Sequence, residues 1–220
     1  MKQNHIFIIC GKSNSGKDTI LNSIKTIIEH ESINLKILTT HTTRPKRENE
    51  TNEYIFDDQN THDGYYMDNK IMEERKYNVY GTSGNEVWTY YTITDDIKVG
   101  TNYISINTPD GIMSIINHLH DDNELKGKFK VHTLYIDCDD ETLLTRAMNR
   151  EKLSLKPNYK EMARRFVSDI EDFSDSVIRK LEVKSILSAY RYDSFIPITH
   201  RVFEYMMCCL VDDEINLQTN

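Results

Sequence analysis

Residues 11–19 read GKSNSGKDT, and the fold turns on whether Gly11-x4-Gly16-Lys17 is a phosphate-binding loop. The apolar run HIFIIC (5–10) ends on Gly11, which is the pattern of a buried parallel strand. Beyond Lys17 the apolar residues Ile20, Leu21, Ile24, Ile27 and Ile28 recur at helical spacing. A glycine loop between a strand and a helix aims backbone amides and the positive helix end at phosphate oxygens, with the lysine reaching the outer phosphates. Gly11, Ser13, Asn14, Ser15, Gly16, Lys17, Asp18 and Thr19 are therefore candidate ATP-binding residues. Such loops put Ser or Thr directly after the lysine, on magnesium. Here Asp18 stands there and Thr19 follows. An aspartate suits a helix N-terminus, and a carboxylate can hold magnesium directly or through water, so both residues are candidate metal ligands.

Working outward, NLKILTT (34–40) reads as a second strand, and HTTRPKRENETNE (41–53) as a polar surface segment. YIF (54–56) begins a short extended piece before the turn-rich DDQNTHDG, and YNVYGTSG (77–84) ends another. EVWTYYTI (86–93) suits a strand or a helix. NYISIN (102–107) and KVHTLYID (130–137) are strands, each followed by a helix. Pro109 fits a first helical turn, and Asp139 or Asp140 can cap the helix holding Leu143, Leu144 and Met148. A long charged helix is expected at 160–186, a last strand at SFIPIT (194–199) and a last helix at RVFEYMMCCL (201–210). Alternating strands and helices imply an α/β fold, a parallel sheet with helices on both faces.

The 220 residues suit one domain, and 38% are hydrophobic, enough for a sizeable core. No apolar run reaches the roughly 18 residues of a membrane span, and the start MKQNHIFIICGK reads as the first strand, not a signal peptide. A net charge of −8 argues against a nucleic-acid polymer as partner. The positive charge is local, at RPKR (44–47) and at Arg146, Arg150, Lys152, Arg164 and Arg165, which suits small polyanions. Cys10, Cys138, Cys208 and Cys209 lack metal-ligand spacing and read as buried free thiols in a reducing cytoplasm.

Two further stretches carry charge that could be chemistry or plain solvation. TTRPKRENE (42–50) with Tyr54 is either a solvated charged loop or a set of forked donors for a phosphate monoester. TRAMNREKLSLKPNYKEMARRF (145–166) is either two salt-bridged helix faces or a pair of cationic helix ends around a loop.

With the glycine loop, TTRPKRENE, YIF and YGTS in this order and at compatible spacing, the chain resembles the guanylate kinases, nucleoside monophosphate kinases of the phosphate-loop class. The resemblance implies MgATP as donor and a monophosphate, GMP or dGMP, as acceptor. It implies a core of 1–39 and 93–220, an acceptor-binding segment at about 40–92 and a lid at about 150–160. It assigns the acceptor phosphate to Arg44, Arg47, Tyr54 and Tyr80, and the base to Thr40, Glu73 and Thr82, with Glu74 an equal neighbour of Glu73. A carboxylate here can accept from both guanine N1–H and its amino group. Arg150 and Arg165 match the lid arginines that neutralise the migrating phosphoryl group.

The chain also departs from the family. Ser105 and Asn107 of ISINTPDG occupy or neighbour positions where the family has aspartates, and FIPITH (195–200) replaces its usual pattern near the adenine. Residues 171–186 read as an insertion. Some bacteriophage deoxynucleoside monophosphate kinases resemble this chain in carrying GKDT itself, which keeps a broader deoxynucleotide kinase as an alternative. A non-catalytic guanylate-kinase-like module that binds peptide is the other, against which the intact Lys17 loop speaks. Nucleotides are the expected partners, the chain is expected to be a monomer or homodimer, and no membrane is expected.

Overall fold

A computed structural model of the chain describes residues 3–46, 54–81, 84–155, 157–191 and 197–218, with backbone only at 79–81, 84–85 and 212–218. The chain runs β1 (Asn4–Cys10), α1 (Lys17–His30), β2 (Leu35–Ile37), β3 (Thr40–Thr42), β4 (Tyr54–Phe56) and α2 (Gln59–Met67). It continues β5 (Ile71–Gly81), β6 (Gly84–Ile93), β7 (Asn102–Ile106), α3 (Pro109–Asp121), β8 (Phe129–Asp137) and α4 (Asp140–Leu153). It closes with α5 (Tyr159–Asp172), α6 (Asp175–Lys184), β9 (Ile186–Arg191) and α7 (Ile198–Gln218).

Five strands form a parallel sheet in the order β2-β7-β1-β8-β9. All seven residues of β1 are buried, because strands lie on both sides of it and helices on both faces. Its alternation separates two cores. Ile6, Ile8 and Cys10 join Ile112, Ile115 and Leu119 of α3 and Leu181 of α6. Phe7 and Ile9 join Ile20 and Ile24 of α1 and Val202 and Met206 of α7. Removing such a fully buried side chain from water stabilises the fold by about 1.5–3 kcal/mol each. In open sheets of this kind, ligands bind beyond the carboxyl ends of the strands where the connections diverge. The turn Gly11–Gly16, Asn107 and Asp139 all follow such strand ends.

A second sheet, in the order β4-β3-β6-β5, spans Thr40 to Ile93. Cross-strand partners share a face, so register sorts its side chains. His41 and Tyr91 lie on the face covered by α2, with the His62 ring 4.9 Å from Tyr91. Thr42, Tyr90, Phe56, Arg75, Thr92 and Glu73 lie on the other.

Several sequence expectations change. The segment from 41 is not a surface stretch at its start: His41, Thr42 and Arg44 are buried, since β3 lies inside the second sheet. The turn-rich DDQNTHDG is a helix, because Asp58 caps it by accepting from Thr61 N at 2.8 Å. EVWTYYTI is a strand. The charged helix over 160–186 is two helices and a strand, broken at Phe173 and Ser174, where Phe173 is buried and Ser174 adopts an extended conformation. The last strand is ILSAYR, paired with β8, while Ile198 and Thr199 of SFIPIT belong to α7 and 194–196 lie outside the described residues. Of the cysteines, Cys10 and Cys138 are buried, Cys209 half-buried and Cys208 exposed. The helix face of α7 at Cys208 points to solvent, so the expectation of buried thiols fails there. Pro109 opens α3 and Asp139, not Asp140, caps α4 by accepting from Thr142 N at 2.8 Å.

Candidate functional site

The turn after β1 is built for close backbone approach. A Cβ on Gly11 would lie 2.8 Å from the Ile136 carbonyl oxygen and 2.9 Å from Ser15 Oγ, so only glycine fits. Asn14 (φ 65°) and Gly16 (φ 94°) are left-handed, a conformation asparagine and glycine tolerate best. Ser15 is fully buried and its amide donates to Lys12 O at 3.2 Å. Lys17 opens α1, and its ammonium donates to Lys12 O at 2.8 Å. Burial lowers the Lys17 pKa, and Asp18 and Asp169 oppose that. Burial pushes the neighbouring Cys10 thiol up to about 12, so it stays protonated.

Other elements hold this turn. Lys12 pairs with Asp140 of α4 at 2.7 Å, and Arg146 of α4 donates to Asn14 O at 3.2 Å. Asp169 of α5 accepts from the Ser13 amide at 2.6 Å. A crevice lined by Ser13, Asn14, Arg150, Met162, Arg165 and Asp169 brings both expected arginines of 150–165 beside the turn. Arg164 and Arg165 share Glu161 at 2.7 and 2.8 Å, and chiefly the Arg164 hydrogen bond holds the Glu161 carboxyl down to about 2. The salt-bridge reading of this segment is thus correct for these two, and both arginines remain about half exposed.

The face of the second sheet opposite α2 collects the remaining candidates. Arg44 is buried, donates from Nε to Tyr90 Oη at 3.0 Å and from Nη1 to Pro45 O at 3.0 Å, and lies over the Tyr54 and Phe56 rings. Burial raises the Tyr54 phenol, and Tyr90 and Asp18 add to the rise while Arg75 and Arg44 oppose it.

Glu73, in register with Thr92, is buried with its side chain fully out of solvent. Arg75 Nε lies 3.3 Å from Glu73 Oε2, an ion-pair distance without hydrogen-bond geometry. Both Glu73 oxygens, Arg75 Nε, Thr92 Oγ1 and Ser105 Oγ are buried with no hydrogen-bond partner among the described residues. Burial raises the Glu73 pKa, opposed by Arg75 and by the approach of Asn107 and Thr92. An unpaired buried polar group costs about 1–3 kcal/mol. Glu73, Arg75 and Thr92 adjoin one another in the second sheet, and unpaired polar groups gathered in this way mark a site for a polar ligand.

Of the expected residues, Thr40 is half-buried beside Tyr54 in register, and Asn107 is buried with Oδ1 accepting from Thr108 N at 2.9 Å. Arg47 and Thr82 lie outside the described residues, as does the Tyr80 side chain. Glu74 is distinct from Glu73, for it turns to the α2 face and pairs with His62 at 3.0 Å. Asp18 and Thr19 are exposed on the first turn of α1, and no group of three or more potential metal ligands occurs among the described residues. Sequence reasoning missed Asp169, Arg75 and Tyr90. Arg75 carried a signal, a basic residue two places from Glu73 on a strand. Asp169 carried none, because its partner is 156 residues away.

A parallel sheet with a glycine turn after its first strand, a helix behind that turn and a small inserted sheet defines a phosphate-loop type of α/β protein. Residues 3–98 match the family model described as guanylate kinase. Among solved structures, the guanylate kinase from Anaplasma phagocytophilum matches with a TM-score of 0.50 at 14% identity, over 94% of this chain and 88% of that one. No curated protein sequence matches the chain. Residues 3–98 are thus similar in sequence to the guanylate kinases, and the fold of the chain is the guanylate kinase fold. No helix among the described residues is long and apolar enough to cross a membrane.

Proposed function

We propose that the chain transfers the γ-phosphoryl group of ATP to a nucleoside monophosphate, GMP or dGMP. The observation that carries this reading is the buried Glu73 carboxylate, without a hydrogen-bond partner among the described residues, on the same sheet face as Arg44 and Tyr54. In this reading the glycine turn and Lys17 hold the ATP phosphates, and Arg44, Tyr54 and, from the sequence, Arg47 and Tyr80 hold the acceptor phosphate. Glu73 takes the base, with Thr40, Thr82, Ser105 and Asn107 around it. Arg150 and Arg165, beside the turn, neutralise charge as the phosphoryl group moves, and 150–160 serves as the lid.

The residues fit magnesium as well. The ion takes one or two protein oxygens beside phosphate and water, and Asp18 and Thr19 on the first turn of α1 can supply them. Bound MgATP supplies the phosphoryl group and its counter-charge. An acceptor phosphate is already a nucleophile, so these side chains work by positioning and charge neutralisation.

A broader deoxynucleoside monophosphate kinase is the second reading, favoured by the neutral Ser105 and Asn107 at or next to positions where the guanylate kinases have aspartates. The test is phosphoryl transfer from ATP to GMP, dGMP, AMP and dTMP, with Lys17→Ala as control. GMP and dGMP should turn over best, and the control should lose turnover while keeping its fold. Preference for dTMP selects the second reading. Failure to phosphorylate any of the four, with the fold intact, removes the kinase and leaves the peptide-binding module.

A further inference from the structure

Glu73 and Arg75 stand two residues apart on one face of β5, and their charged groups are 3.3 Å apart without hydrogen-bond geometry. The carboxylate is closed to solvent, whereas the guanidinium is about a quarter exposed. Glu73 is the only ion-pair partner of Arg75 among the described residues. The guanidinium thus reaches solvent from beside a buried carboxylate, and its Nε has no hydrogen-bond partner among the described residues.

We infer that Arg75 is a specificity-determining residue which, with Glu73, reads a lactam edge on the acceptor base: a ring carbonyl beside a ring N–H. This rests on the proposed kinase reading for the identity of the site. The argument is one of inventory. An ionised carboxylate only accepts hydrogen bonds and a guanidinium only donates them. Side by side they complement a neighbouring N–H and C=O, which guanine and hypoxanthine carry at N1 and O6, and thymine and uracil at N3 and O4. Adenine and cytosine present the reverse, an amino group beside an unprotonated ring nitrogen. Against this pair they meet donor with donor and acceptor with acceptor.

The surroundings set the breadth of the class. Thr92, in register with Glu73, is neutral, and its Oγ1 lacks a hydrogen-bond partner among the described residues. Asn107 is neutral too, and packs so closely on Gly111 that a Cβ there would lie 2.1 Å from its Oδ1. None of these supplies a second carboxylate for the 2-amino group of guanine. The edge itself is what the site demands, so 6-oxopurine and 4-oxopyrimidine nucleoside monophosphates form one substrate class.

The experiment is calorimetric binding of GMP, IMP, dTMP, AMP and CMP to the full chain without ATP, beside phosphoryl-transfer rates for the same five. The wild type should bind the first three at least tenfold more tightly than AMP and CMP, the scale of one charged hydrogen bond, and Arg75→Gln should shrink that gap by about 10- to 100-fold. Because Arg75→Gln leaves a buried carboxylate unpaired, the double variant Glu73→Gln/Arg75→Gln provides a neutral pair of similar volume. Each amide both donates and accepts, so this variant should fold and bind all five within about threefold of one another. Lactam-selective binding that depends on Arg75 but comes without turnover keeps the inference and removes the kinase. Turnover without lactam preference, or an equal loss for all five in Arg75→Gln, overturns the inference and keeps the kinase. Absence of binding to any of the five overturns both.

Discussion

Arg44 shows how much one position can be asked to do. Its guanidinium is taken out of water between two aromatic rings and fixed by Tyr90 and the Pro45 carbonyl. Arginine suits that site because a planar, weakly hydrated cation stacks on rings and still offers donors at its edge, which a lysine ammonium cannot do. In the proposed reaction Arg44→Lys should raise the KM for the monophosphate by about 10- to 100-fold, the worth of a charged hydrogen bond, with the KM for ATP little changed. Steady-state kinetics with each substrate varied in turn decides it. Equal effects on both constants place Arg44 on the donor side. The sequence showed the arginine and its neighbours. It could not show that the residue is buried, because TTRPKR has the composition of a solvated loop.

Among the elements, the second sheet is tied by a histidine. His41 of β3 bonds Asp57, just after β4, at 2.6 Å and Asp96, just after β6, at 2.9 Å, with the Tyr91 and Tyr65 rings against it. Burial alone would lower its pKa, but the hydrogen bonds of Asp96 and Asp57 outweigh it and the net shift is upward. A histidine raised above its unfolded value of about 6.5 stabilises the fold fully below that pH and loses the contribution as pH rises through the folded value. The melting temperature of the wild type should therefore fall, relative to His41→Asn, as pH is taken upward from about 6. Parallel pH curves for the two proteins would show that the ring is held neutral. None of this was legible in the sequence, where HTTRPKRENETNE was a polar stretch and DDQNTHDG a run of turn formers. Local propensity gave way to packing at both places.

Across the whole molecule, the glycine turn is in contact with a helix far along the chain. Asp169 of α5 holds the Ser13 amide, and Lys17 is folded onto Lys12 O. A triphosphate arriving at this turn meets a carboxylate already on one of its amides, carried by the helix that also bears Arg164 and Arg165. Removing that charge should ease nucleotide entry: Asp169→Asn should lower the KM for ATP, by roughly tenfold for one charge-assisted hydrogen bond released. The unliganded variant should also melt earlier, since the tie between α5 and the turn is weakened. A raised KM for ATP would mean that the carboxylate serves the bound state instead.

The sequence by itself determined the glycine turn and its flanking strand and helix, the α/β class, and the identity of Arg44, Tyr54, Glu73, Arg150 and Arg165 as candidates. These are local signals, set by the spacing of apolar residues, by glycines that backbone geometry requires, and by short ordered motifs. Only the tertiary structure decided the break in the charged helix at Phe173, the last strand at ILSAYR, the burial of His41 and Arg44, and the pairing of Asp169 with Ser13 and of Arg75 with Glu73. Each depends on what a distant or cross-strand segment places opposite. Burial, sheet register and the environment of a charge are properties of that arrangement, and no window of sequence contains them.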